Sequence, residues 1–557
     1  MAGRPVNRRT VFGYSVGIAG ATYAGLAAKE RSELAGPGGP EAGPAPVPRR
    51  RPVPVTGRPA AFPAPRKLSS AGGELRVALT ARRGIVDMGA PRLVRTYTYN
   101  NVVPGYTWEL RGGDTLRVHL RNRLPPADDP LMAMDRPHAW TTTNLHTHGL
   151  HVSPAGHADN VFLEVPPGEE HRLEIPLPRD HPGGIFWYHP HCHGGVTQQL
   201  RAGMAGAIIV RGAIDEVEEV AAAREHVMVL QSIELGDEYQ LLDPIPEPTA
   251  AQAFFPRTNV LYTVNGVLRP TLRMYPGEVQ RWRLLNAAEG KFMSLQLRRH
   301  DFHVLAWDGL TLPAPDPTDV LMLSAGNRAE VLIRAGRPGR YDLVLTPGSS
   351  QRPDIPGMPA SGSAAPPSGA MAAMPGFPAV AGELDPRTIL TVEVAGHGQT
   401  MALPTGLPAF DPPILPIARR RDFAFTVQRT AGREFLNFGV DGVPFDPARP
   451  PYRPVLGTAE EWTLTNAFDP KLMEHAHVFH VHTNPFKITK RNGTALHPPL
   501  WRDTYVLTKS AGDSITFESN FVDYPGKFVE HCHVVSHEDL GMMSSIEVIP
   551  PDESSLR

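Results

Sequence analysis

The chain has 557 residues, a prior of roughly three to four domains at about 150 residues each, and long enough to bury its cores without a disulfide framework. Its 55 Lys+Arg nearly balance 57 Asp+Glu, for a net charge of −2, which argues against a nucleic-acid binder because such proteins carry a basic surplus. The 60 Pro and 52 Gly disfavour a helical protein and the 2 Cys exclude zinc-finger and disulfide-rich classes, while the 23 His fall into a pattern.

The N-terminus reads Asn7-Arg8-Arg9-Thr10-Val11-Phe12 and continues as a Gly/Ala-rich, mildly apolar run to Ala28. Two arginines ahead of a weakly apolar run form the pattern of a twin-arginine-type export signal, assigned to residues 1–30. The run is too short and too glycine-rich for a stable membrane span. Residues 31–66 are rich in Pro, Gly, Ala and Arg, lack an apolar period, and are expected to form a disordered spacer. Basic residues gather in these first 66, so the rest of the chain is net acidic, which suits neutral or cationic reductants.

Downstream the sequence repeats itself. Three segments share a Gly followed nine residues later by Asn: Gly113–Asn122, Gly277–Asn286 and Gly457–Asn466. A second glycine follows in each copy, Gly168 before Arg172–Ile175, Gly326 before Ala329–Ile333 and Gly512 before Ile515–Glu518. A Gly-x-aromatic triplet comes third, at Gly184-Ile-Phe186, Gly339-Arg-Tyr341 and Gly526-Lys-Phe528. Each copy closes on a β-rich run, at Ala207–Val210, Thr388–Val394 or Ser545–Ile549. Short alternating strands with Gly/Pro turns at this spacing predict β-sandwiches. Three stand in tandem, at residues 67–213, 214–395 (with a low-complexity loop at 353–378) and 396–557. Read in register, His189 and His191 of the first copy align with Val344 and Thr346 of the second and with His531 and His533 of the third. The outer copies are therefore expected to share a site, with the middle one as spacer or substrate wall.

Four His-x-His pairs occur: His146/His148, His189/His191, His480/His482 and His531/His533. Residues two apart on a strand project to the same face, so each pair presents two imidazoles together. One such pair is as readily structural as ligating. Four in matched repeats, built from the commonest metal-ligating side chain, predict a cluster of several metal ions. Cys532 lies inside the last pair, and the same alternation sends its sulfur to the opposite face. His537 and Met542 follow it, and His477 precedes the third pair. One Cys, two His and a weak Met form the ligand set of a blue-copper centre, whereas zinc has no use for the Met.

Four segments resemble the ligand motifs of the multicopper oxidase family: Leu145-His-Thr-His-Gly149, Trp187-Tyr-His-Pro-His191, His477-Val-Phe-His-Val-His482 and His531-Cys-His-Val-Val-Ser-His-Glu-Asp-Leu-Gly-Met542. The resemblance runs from about Gly72 to the C-terminus. It implies an all-β fold of three tandem cupredoxin-like Greek-key β-sandwich domains, in the laccase-like form of the family. It further implies four copper ions as the cofactor. The type 1 blue site takes His477, Cys532, His537 and Met542, and the type 2 ion takes His146 and His480. The type 3 pair takes His148, His189 and His533 on one ion, and His191, His482 and His531 on the other. The implied reaction couples four one-electron oxidations of a reducing substrate to reduction of dioxygen to water. Asp159 matches an acid that family members place near the type 2 ion, and Glu538 a second near the type 3 pair. Carboxylates with tunable pKa suit the catalytic role of proton carriers.

Some positions depart from the pattern. Val478 stands where many members have Pro. Cys192 and His193 extend the second motif, and with Cys532 committed to copper they are read as a buried free thiol and a hydrogen-bonding neighbour of the cluster. His300, His303 and His475 match no motif and are read as ordinary polar contacts. Met358, Met371 and Met374 of the low-complexity loop offer soft thioethers, although a plain disordered loop is the favoured reading. Three functions remain open: a laccase-like oxidase of phenols or aromatic amines, a cuprous or other metal-ion oxidase, and a metal-free cupredoxin scaffold. The Met loop and the acid-rich Glu538-Asp539-Leu-Gly-Met-Met543 ending favour the second, and the complete ligand sets argue against the third. The expected partners are dioxygen and a small reducing substrate or metal ion, with no nucleic acid, for an exported monomer in the periplasm or outside the cell.

Overall fold

The computed structural model describes residues 60–127, 138–242, 259–346, 387–429, 436–468 and 476–551. The export signal, the spacer up to residue 59, the 353–378 loop and His475 lie outside these residues. One strand arrangement occurs three times. Strand Glu74–Val86 runs parallel to Thr115–Arg123, which pairs antiparallel with Glu170–Pro176. Arg224–Leu235, Val279–Asn286 and Arg328–Arg334 repeat it, as do Ile417–Arg429, Thr458–Phe468 and Ser514–Phe521.

The Gly-to-Asn repeat is the central strand of each trio with the turn that leads into it. Its final Asn does the same thing in each copy. The Asn carbonyl accepts the N–H of the glycine that opens the third strand: Gly168 to Asn122 at 2.9 Å, Gly326 to Asn286 at 2.9 Å, Gly512 to Asn466 at 2.8 Å. Its side-chain amide donates to loop carbonyls, of Thr141 and Val165, of Lys291 and Leu323, and of Thr508. The three glycines have φ of 92°, 82° and 82°, a region where a side chain strains the backbone. The sequence repeat is thus a turn requirement plus a buried Asn that satisfies carbonyls the strands leave over.

A second sheet covers each first one. Its strands include His146–His148, Gly184–His189 and Gly206–Arg211 in the first sandwich. The equivalents are Met293–Leu297, Gly339–Leu345 and Arg387–Val394 in the second, and His477–Val481, Gly526–Cys532 and Met543–Val548 in the third. Alternating side chains fill the space between sheets, giving each sandwich its own apolar cluster. Trp282 and Trp462, each five residues after its repeat glycine, are buried at the centre of the second and third clusters. In the first, Trp108 stacks on Tyr188 with centroids 3.7 Å apart. The fold is three tandem cupredoxin-like sandwiches. No helix among the described residues is long and apolar enough to cross a membrane.

The expected spacer over 31–66 needs correction at its end. Residues 60–66 are seated against the second sandwich rather than disordered. Phe62 N–H donates to Thr271 O at 3.0 Å, Thr271 N–H to Ala60 O at 2.8 Å, and Asn265 Nδ2 to Pro63 O at 2.9 Å. The Phe62 ring also packs edge-on against His226. A Pro-rich segment still forms an edge pairing when its carbonyls and one aromatic anchor find partners, since Pro lacks only the donor.

Candidate metal centre

Antiparallel pairing places His146 opposite His189 in the first sandwich and His480 opposite His531 in the third. The two strand pairs meet face to face. His146 stacks on His482 with centroids 3.9 Å apart, and His148 on His480 at 3.7 Å. Three groups of nitrogen atoms result, each within 4.8 Å: His146, His148 and His480; His148, His189 and His533; His191, His482 and His531. All of these rings are buried. On the other face of strand Gly526–Cys532, His477, Cys532 and His537 form a fourth group. Cys532 Sγ lies 3.6 Å from Nδ1 of both histidines, and the two Nδ1 atoms are 3.1 Å apart. Met542 is buried in the same apolar cluster, and its carbonyl accepts the Cys532 N–H at 3.0 Å.

Four of the rings are anchored through Nδ1. Nδ1–H of His146 donates to Asp159 at 2.9 Å, that of His189 to Pro190 O at 2.9 Å, that of His480 to Asp503 O at 2.8 Å, and that of His531 to Cys532 O at 3.3 Å, with Glu538 Oε2 3.0 Å from the same nitrogen. Committing the proton this way leaves a lone pair on the opposite nitrogen. Nε2 of His146, His189 and His480 are buried with no hydrogen-bond partner. Nε2 of His191 and His482 approach Nε2 of His531 at 3.1 and 3.3 Å. Buried polar atoms left unpaired cost free energy, and a shared cation removes that cost. Imidazoles, with a thiol added in the fourth group, are a donor set that fits copper.

Burial keeps the rings neutral. Desolvation pushes His191 and His531 down to about 3, and holds His148, His189, His480, His482 and His533 well below the ordinary imidazole value, with neighbouring rings adding to the effect. Burial pushes the Cys532 thiol up to about 12. Glu538, fully buried with Oε1 3.6 Å from His191 Nδ1, is raised to about 7 by the same cause. Asp159 Oδ1 also accepts the Thr147 N–H at 2.8 Å, locking the loop that carries His146.

These shifts predict an acid-labile metal-free protein. The depressed histidines stay neutral when folded but take protons near 6.5 when unfolded, so their contribution to stability is present above that pH and is lost as pH falls below it. Glu538 and Asp539, both raised to about 7, with Glu530 raised to about 8 and Asp503 to about 6, act in the opposite sense, losing stability as pH rises from about 4 through those values. The histidines outnumber them. Melting temperature of the metal-free protein should therefore fall as pH is lowered from about 6.5 to 4.5, measured by calorimetry in a chelator; a flat or rising profile would contradict the burial argument.

Sequence reasoning missed several residues here. Asp539 of the third sandwich accepts the N–H groups of Gly194, at 2.7 Å, and of Val196 and Thr197 at 3.3 and 2.8 Å. It thereby caps helix Val196–Arg201 of the first sandwich, behind the loop holding His191. Asp539→Ala should cost about 1–3 kcal/mol, because three N–H groups lose a buried acceptor; denaturant unfolding measures it. Asp539 is 1% exposed, Glu538 0% and Met543 3%. The acid-rich ending is therefore not a surface that could greet a metal-ion substrate, and that ground for the metal-ion reading is withdrawn. Asp503, Thr504 and Arg328 were also missed, although a repeat alignment puts Arg328 where the other copies have Glu170 and Ser514. Cys192 and Cys532 are both buried and are not joined in a disulfide. The His193 ring packs edge-on against Phe445 at 4.9 Å and His138 at 5.7 Å. His300 donates to Arg298 O and accepts the Gly336 N–H, and His303 lies half-buried on strand Phe302–Trp307.

Known proteins resemble this chain in sequence and fold. A laccase from Bacillus stratosphericus is 23% identical over 82% of this chain and 91% of its own length. The multicopper oxidase MmcO of Mycobacterium tuberculosis is 25% identical over 86% of this chain and 88% of its own. The cell division protein FtsP of Sodalis glossinidius is 26% identical over 80% and 83%. Among solved structures, a multicopper oxidase from Pediococcus acidilactici superposes with a TM-score of 0.69, at 22% identity, covering 91% of this chain and 95% of its own. One from Campylobacter jejuni, described as a metallo-oxidase, gives 0.67 at 22% identity, covering 90% and 99%. Family models described as multicopper oxidase match residues 86–214, 233–361 and 417–552, well over half of the chain, which belongs to the multicopper oxidase family and is a copper oxidoreductase.

Proposed function

We propose that the protein carries four copper ions and couples one-electron oxidation of phenols or aromatic amines to reduction of dioxygen to water. The observation that supports this most is the back-to-back placement on strand Gly526–Cys532 and the residue after it: Cys532 belongs to the fourth group, its bonded neighbours His531 and His533 to two of the three histidine groups. A short covalent path thus joins them. The fourth group, with Met542, is the type 1 site; His146 and His480 are the type 2 ligands; His148, His189 and His533 serve one type 3 ion, and His191, His482 and His531 its neighbour. Copper held there supplies one-electron acceptance from the reductant and four-electron reduction of dioxygen.

The protein's own groups do the rest. Asp159 holds His146 in its tautomer, and Glu538, with Oε2 3.0 Å from His531 Nδ1 and poised near neutrality, supplies protons at the type 3 side. The closed shell of buried rings excludes bulk water. The complete set of histidines, Cys532 and Met542 separates this reading from a metal-free scaffold. Export through residues 1–30 and action as a monomer complete the proposal.

Oxygen uptake on a phenol, compared with uptake on Cu(I), before and after deleting residues 353–378, tests the substrate. Phenol-driven uptake that survives the deletion supports the laccase-like reading. Dominant Cu(I)-driven uptake that the deletion removes would replace it with metal-ion oxidation.

A further inference from the structure

The middle sandwich reaches the histidine cluster through one side chain. Arg328 opens strand Arg328–Arg334 and is wholly buried. Its guanidinium touches all three sandwiches. Nη1 donates to Asp503 Oδ1 of the third at 2.8 Å and Nη2 to the other oxygen of the same carboxylate. Nε donates to Ile185 O of the first at 3.2 Å, on the strand that carries His189, and Nη2 to Asp308 O of its own at 3.0 Å. A planar two-pronged grip of this kind fixes position as well as charge.

The carboxylate it grips belongs to a residue that holds one histidine and accepts the hydroxyl of a threonine that meets another. Asp503 O accepts the Nδ1–H of His480 at 2.8 Å. Thr504 Oγ1 stands 3.1 Å from His148 Nε2 and donates to Asp503 Oδ1 at 2.8 Å. His148 and His480 are the stacked pair whose other nitrogens, Nδ1 and Nε2, are buried without a partner. An independent feature points the same way. Gly149, directly after His148, has φ +85°, and a Cβ there would lie 2.3 Å from Arg328 Nη2 and 2.6 Å from Asp503 Oδ2. The glycine that ends the His-Thr-His-Gly segment is therefore the space the ion pair occupies.

We propose that Arg328 is a positioning residue for the type 2 side of the copper cluster, acting through Asp503 on the type 2 ligand His480 and through Thr504 on its stacked type 3 neighbour His148. This rests on the functional reading above. The middle sandwich then does more than separate its neighbours: it sets the geometry of a site to which it gives no ligand. Removing a hydrogen-bonding partner behind metal-binding groups typically weakens retention about 10- to 100-fold.

The test needs a control that breaks a buried ion pair elsewhere. Arg283 and Glu330 form one, tied to Asp215 and Glu225 and in contact with none of the histidines in the four groups. Copper-loaded wild type, Arg328→Gln, Arg328→Lys and Arg283→Gln would be compared. Blue absorption, the type 2 electron paramagnetic resonance signal and copper retention against a chelator are read on each sample. The proposal expects Arg328→Gln to alter the type 2 signal and lower its retention about 10- to 100-fold with the blue band intact. Arg328→Lys should restore part of it, and Arg283→Gln should lower the melting temperature with an unchanged type 2 signal. Type 1 and type 2 signals that fall together, or a type 2 signal that does not change in Arg328→Gln, would overturn it. A wild-type protein that takes up no copper would instead overturn the functional reading on which it depends.

Discussion

Cys532→Ser is expected to remove the blue absorption and to lower substrate-driven oxygen uptake by roughly 10³-fold, equivalent to about 4 kcal/mol of barrier. The sulfur is the soft donor of its group, 3.6 Å from both imidazoles, and the serine oxygen that replaces it is a hard one. The substitution also cuts the link through which one strand serves both groups. Its structural cost should be modest. Serine is smaller and brings a hydroxyl into an apolar cluster that contains Phe479, Phe528 and Met542, a loss of about 1–3 kcal/mol. The His-only groups on the opposite face keep their Asp159 and Asp503 anchors. The type 2 resonance signal should therefore persist in a colourless protein, a combination that misfolding would not produce.

Glu538→Gln is the second large effect. The carboxyl is fully buried, raised to about 7 by desolvation, and sits between His191 and His531. Glutamine keeps the size and the acceptor but cannot carry a proton. Loss of a positioned proton carrier typically costs about 10²–10⁴-fold, and oxygen uptake should drop within that range. In rapid mixing without oxygen, bleaching of the blue band by substrate should proceed at the wild-type rate; on admitting oxygen, its return should be slow. Equal slowing of both halves would contradict a proton role, as would full activity. Asp159→Asn should be milder in rate but should disturb the type 2 signal, because Asp159 orients His146 and braces the Thr147 N–H.

The sequence made visible what is local or repeated. The Gly-to-Asn repeat marks a strand, a positive-φ turn and a buried amide, each fixed by neighbours within one sandwich. The His-x-His pairs are legible because strand alternation alone puts both rings on one face. What was hidden depends on distant contacts. Arg328 meets Asp503 across 175 positions and Asp539 meets Gly194 across 345, so neither has a periodicity to betray it. The same holds for residues 60–66: Phe62 and Pro63 become ordered only because Thr271 and Asn265 receive them. A charged residue opening an apolar strand, as Arg328 does before Val331–Ile333, was the one local sign available.

Copper content together with the visible spectrum of the reconstituted full chain tests most directly whether the four buried ligand groups hold copper. The prediction is about four copper ions per chain, an intense blue band that reductant bleaches and oxygen restores, and a separate type 2 resonance signal. A colourless, copper-free protein after reconstitution would contradict it.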